Sequence, residues 1–117
     1  MMIRADFYRD GERLCLTIKG HAEYGGEGND IVCAAVSGIF YALTGYLTNM
    51  HREGVEIRAI GSGLADISCD GGGEEAMKLA CIGLIQIEMS YPDCVLVNNR
   101  VWKWKCGSLR DIARCDA

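Results

Sequence analysis

No two cysteines of this 117-residue chain stand in a Cys-x-x-Cys spacing, and the seven present (Cys15, Cys33, Cys69, Cys81, Cys94, Cys106 and Cys115) are an odd number. This argues against a disulfide framework and against a zinc site, so no metal is expected. Also missing are a basic, apolar-cored leader at the N-terminus and any apolar run near the roughly 20 residues that span a bilayer. The expectation is a protein of the reducing cytoplasm with no membrane partner. Positive charge is not in excess either. With 12 Lys and Arg against 16 Asp and Glu, the formal charge of −4 leaves no electrostatic footprint for nucleic acid, and no direct nucleic-acid binding is expected. A negative chain is compatible with a basic peptide or protein partner. There is no internal repeat and no low-complexity tract, and the length fits one core that needs no staples.

Within that frame the hydrophobic pattern switches period several times. Ile3, Ala5 and Phe7 alternate with polar residues, Asp10-Gly11 makes a turn, and Leu14, Leu16 and Ile18 alternate again, which predicts a β-hairpin. From Asp30 to about Met50, Val32, Val36, Ile39, Leu43 and Leu47 recur at three or four residues and predict a helix, with Asn29 or Asp30 available as N-cap. A second hairpin is expected around Gly61-Ser62-Gly63. A second helix opens at Glu74-Glu75 and is apolar on more than one side, which suggests burial on two fronts. Pro92 ends it, and Cys94-Val95-Leu96-Val97 supplies a last strand. The order is ββαββαβ, an α+β domain in which helices cover one face of a mostly antiparallel sheet.

The chemistry concentrates where the second strand passes into the first helix. His21 and Cys33 are joined by a glycine-rich run that places the cysteine near a helix start, where unpaired backbone N–H groups and the helix dipole favour thiolate and can hold an oxyanion. The plainer reading is that His21 ends a strand and Cys33 is a small buried hydrophobe. Asp30 either orients the imidazole or caps the helix. Ser37 lies one turn beyond Cys33 and either lines the same face or bonds back to a carbonyl. Gly25, Gly26 and Gly28 have no Lys-Ser/Thr continuation for a phosphate loop and read better as a mobile, substrate-gating loop. His51, near the end of the first helix, suits the dipole there and is assigned no chemistry. The other cysteines read mostly as buried packing groups.

The segments Gly20-His21-Ala22 and Asp30-Ile31-Val32-Cys33-Ala34-Ala35-Val36-Ser37 resemble the signature of the ribosomal-processing cysteine proteases, the Prp family of bacteria. The resemblance covers about residues 1 to 98 and is supported by the later strands, the acidic-start helix and Tyr91-Pro92-Asp93. It implies that Cys33 is the nucleophile and His21 its base. It also implies that the substrate is the N-terminal extension of a large-subunit ribosomal protein, and that the enzyme is a homodimer without cofactors. Two rivals stand beside this reading. One is a non-catalytic dimer that holds a peptide in the same groove. The other is a phage or mobile-element protease of the same family that trims an assembly protein.

Residues 99 to 117 have no counterpart in that pattern and are read as an extension packed on domain 1–98. Val101-Trp102-Lys103-Trp104-Lys105-Cys106 alternates like a strand, and Ser108-Leu109-Arg110-Asp111 resembles a capping box that opens a short helix. Interleaved Trp and Lys can signal stacking on nucleic acid. In an acidic chain the expectation is an edge strand packed on its own body.

Overall fold

A computed structural model describes residues 2–20, 29–61 and 63–104. The elements are β1 (Ile3–Asp10), β2 (Arg13–Lys19), α1 (Asn29–Met50), β3 (Val55–Gly61), β4 (Leu64–Cys69), α2 (Glu74–Ser90) and β5 (Val95–Asn99), with single 3-10 turns at Arg52–Gly54 and Gly71–Gly73. The order is the expected ββαββαβ. The sheet runs β3-β4-β2-β1-β5, antiparallel except for the parallel pair β1–β5.

Period-two alternation decides which face each strand residue takes. Phe7 pairs with Leu16, Leu16 with Ile67, and Ile67 with Ile57, which lays an apolar row across four strands. Phe7, Leu16 and Ile67 are buried beneath the helices, where α1 contributes Val32, Val36, Phe40, Leu43 and Leu47, and α2 contributes Met77, Ala80, Cys81 and Leu84. Each fully buried large side chain contributes about 1.5–3 kcal/mol. The opposite sheet face is polar. There Thr17 Oγ1 donates to Asp66 Oδ1 (3.3 Å), Arg13 Nε donates to Ser68 Oγ (2.6 Å), and Asn98 Nδ2 donates to Asp6 Oδ1 (2.7 Å).

Three expectations change. By length and composition Ile31–Met50 is apolar enough to cross a membrane, contrary to the reading that no stretch approaches spanning length, although its inward stripe packs into the core. Helix α2 buries one apolar side only, and Leu79, Ile82 and Met89 on its other side are exposed. Over residues 101–104 the tail forms no strand. Asn99 Oδ1 instead accepts the N–H groups of Val101 and Trp102, an Asx turn that bends the chain off the line of β5. The turn sets Trp102 5.9 Å from Phe7, with its indole N–H on Glu74 Oε2 (2.9 Å) and Trp104 stacked on it at 5.8 Å. Residues 105–117, with the expected short helix, lie outside the described residues.

Candidate active site

Helix α1 begins at Asn29, so Cys33 is its fifth residue, one or two residues further in than caps at Asn29 or Asp30 would place it. The helix N–H groups without an internal partner therefore belong to residues upstream of Cys33. Asn29 and Asp30, read as alternative caps, are both inside the helix. The side chains of Asn29 and Asp30, and with them the orienting and capping roles of Asp30, lie outside the described residues.

Residues four apart share a helix face. Cys33, Ser37 and Tyr41 accordingly line one wall of an open groove of about 390 Å³, faced by Ile60, Gly61 and Leu64 of the β3–β4 hairpin and floored by Ile3 and Ile18. Val32, fully buried next to Cys33, anchors the wall in the core, while Cys33 itself is half-buried and not in a disulfide. The Ser37 hydroxyl is exposed and makes no hydrogen bond among the described residues, unlike Thr48, which bonds back to the Thr44 carbonyl at 2.8 Å. The structure thus brings Ser37 to the groove.

The glycine that precedes the histidine belongs to the same groove. Gly20 has φ +96°, and a Cβ there would meet the Met2 carbonyl oxygen at 2.5 Å, so only glycine fits this turn out of β2. Its N–H bonds to the Gly63 carbonyl (3.0 Å), tying the strand end to the β3–β4 turn. His21 follows directly; it lies outside the described residues, as do Gly25, Gly26 and Gly28 of the expected gate. Tyr41, Ile60 and Leu64 were missed as site residues. They are 58%, 51% and 43% exposed, and their signal was the placement of large apolar side chains where the helix or strand period turns them outward.

His51 takes a role that the sequence did not reveal. Its Nε2 contacts Asp70 Oδ1, nineteen residues away, and the same oxygen accepts the Gly72 N–H at 2.9 Å. The imidazole lies against Gly54 and Gly72, where any Cβ would collide with the ring. Asp70 is held below its ordinary pKa of 3.8, first by the hydrogen bond from His51 and then by the Gly72 amide. Nearby, burial pushes the Cys69 thiol up to about 11. Among the described residues no group of three or more His, Cys, Asp or Glu could hold a metal ion.

A two-layer α+β domain that sets a half-buried, unbridged cysteine in an open groove has the layout a thiol peptidase needs around its nucleophile. The family model described as Cysteine protease Prp matches residues 2–96, and the chain belongs to that family of cysteine proteases. Solved structures of similar fold include the essential ribosomal processing protease Prp from S. aureus with a substrate peptide (22% identity, TM-score 0.70, 85% of this chain and 100% of that one). The same protease with a covalently linked product peptide gives 23% identity and a TM-score of 0.72 over the same shares. SMU.848 from Streptococcus mutans gives 24% and 0.65, covering 84% of this chain and 93% of that one. No curated protein matches the sequence.

Proposed function

We propose that this cysteine protease removes the N-terminal extension of a large-subunit ribosomal protein during ribosome maturation, with Cys33 as nucleophile and His21 as general base. One observation carries the reading: Cys33 stands in an open groove whose lining includes Gly20, the residue directly before His21 in the sequence. The S. aureus protein of similar fold, a ribosomal processing protease seen with peptide, supports the substrate class.

In the first step the Cys33 sulfur bonds to the scissile carbonyl carbon while His21 takes the thiol proton. The C–N bond then breaks as that proton passes to the leaving amine, and water hydrolyses the thioester to regenerate the thiol. Unpartnered N–H groups in the first turn of α1 suit the oxyanion. The glycine run at 25, 26 and 28 suits a gate over the bound peptide. A cytoplasmic setting agrees with the absence of disulfides among the described cysteines.

The test is to incubate the purified protein with the extended ribosomal protein and read the new N-terminus by mass spectrometry. A single cut, lost in Cys33→Ala, is expected. An intact precursor would overturn the substrate, and cleavage of a phage assembly protein in its place would move the substrate while leaving the protease standing. The homodimer is carried by the open apolar side of α2, where Leu79 is 74% exposed. Sedimentation of wild type against Leu79→Glu tests it, and two identical monomeric profiles would remove it.

A further inference from the structure

The sheet has two outer edges, and they are treated differently. At β5 the edge is occupied: Val97 N–H donates to Glu88 Oε2 of α2 at 2.8 Å, and the strand is only five residues long. At β3 the edge is bare. The strand has seven residues without lysine or proline, Ile57 and Ile60 are 40% and 51% exposed, and among the described residues no side chain bonds its backbone. Proteins ordinarily guard such an edge with an outward charge, a proline or a bulge that turns it away, because its free N–H and C=O groups capture other strands. β3 does carry a bulge between Ile57 and Ala59 and two exposed charged residues, Glu56 and Arg58, but Arg58 lies back across the sheet face, 3.4 Å from Asp66 Oδ1 and donating to Cys15 Sγ at 3.3 Å. The strand's one cation is thus held by the strands behind it, which leaves Glu56 as its only charge directed to solvent.

The bare edge also leads somewhere. Its last residues, Ile60 and Gly61, form the wall of the groove that faces Cys33. We propose that β3 receives the substrate peptide as an added sixth strand, so that main-chain hydrogen bonds along Val55–Gly61 hold an extended segment whose continuation enters the groove at Cys33. This rests on the protease reading above and adds to it how the peptide is recognised: through its backbone at every second residue, in an extended form, with the groove reading side chains only near the cut. The occupant is the substrate and not a second copy of the chain, because the edge is continuous with the groove that holds the nucleophile. A folded or helical segment at the junction would not bind.

The closing experiment uses a synthetic peptide spanning the junction between extension and body of the ribosomal protein, with single backbone N-methyl groups placed in turn along it. Cleavage is measured with the wild type and affinity with Cys33→Ala. Each methyl removes one N–H donor. Strand addition therefore predicts losses of roughly tenfold at alternate residues on one side of the scissile bond and little change between them. Ile57→Lys, which places a charge on the exposed edge, should weaken binding of the same peptide. Alternation in affinity without cleavage would leave the edge site standing and sink the protease reading. Cleavage with no alternation would leave the protease standing and overturn strand addition. A wild-type dimer that Ile57→Lys splits would assign the edge to a second copy and overturn it as well.

Discussion

The two ends of α1 solve opposite problems with the same kinds of residue. Each end has a cysteine in its neighbourhood, Cys33 at one and Cys69 at the other. At the N-terminal end Cys33 is half-buried in an open groove, beside the segment that leads to His21. At the C-terminal end His51 is clamped by Asp70 between two glycine backbones. Cys69 is fully buried there, close to Gly73 and, like Leu47, within the core. Two strands and the turn before β3 meet at the closed end: Arg13 Nη2 from β2 donates to the Gly54 carbonyl (3.4 Å) and to the Ser68 carbonyl of β4 (3.3 Å). The lesson is a division of labour along one rigid rod. Fixing a helix at one end by contacts distant in sequence allows the other end to present a side chain to solvent without losing its position.

The largest effect that separates the ends is chemical. Cys33→Ala should reduce peptide cleavage by about a thousandfold or more while changing the thermal melt far less, since Cys33 is only partly buried at the margin of the core and the change removes a single atom. Cleavage assays and melts on the same preparation check both halves. A variant that unfolds would make Cys33 a core residue and erase the contrast.

Much of this was readable in advance, and the reasons differ by element. Strands β1 and β2 alternate, with Cys15 the one buried exception in β2, and are joined by a two-residue Gly11-containing turn, so local sequence sufficed for the hairpin. The groove's helix wall was legible because Cys33 and Ser37 are one turn apart. The opposite wall was not, because Ile60 and Leu64 reach Cys33 only through the pairing of β4 with β2, a long-range event without a local signal. His51 and Asp70 meet for the same reason. The tail misled for another reason: its alternation is genuine, but the Asn99 side chain competes for the amides that a strand would have used.

The two thiols give the next contrast. Desolvation, and then the Asp70 charge, hold the Cys69 proton until about pH 11, and the side chain has no access to solvent. Limited iodoacetamide treatment near pH 8 followed by peptide mapping should therefore label Cys33 at least about a hundred times faster than Cys69, since only the exposed thiolate reacts. Comparable labelling of both would show that the closed end opens on the timescale of the reaction.

Packing at the closed end comes third. Leu47 is fully buried in the last part of α1, and Leu47→Ala should lower stability by about 2–5 kcal/mol in denaturant unfolding. Activity per folded molecule at the open end should fall less than tenfold if the rest of α1 keeps Cys33 in place. A collapse of activity in fully folded protein would mean that the two ends are coupled.

The smallest effect, and the one that most sharpens the comparison, is the clamp's dependence on pH. Asp70 has a folded pKa below its ordinary value of 3.8, so its ionised form is the one the fold prefers. A depressed carboxylate contributes stability that is present above the unfolded pKa and is lost as pH falls through the folded one. The wild type should thus melt higher than Asp70→Asn near neutrality, by less than the Leu47→Ala loss because the carboxylate is exposed. The gap should narrow below about pH 4, where the unfolded carboxyl takes up its proton but the folded one resists, and it should close once both are protonated. His51→Ala should melt below wild type in the same range, since it removes the first of the two hydrogen bonds that hold the carboxylate charged. A melting gap that stays constant from neutral to strongly acid pH would reduce the clamp to a neutral hydrogen bond, and the closed end would owe its rigidity to Leu47 and its neighbours alone.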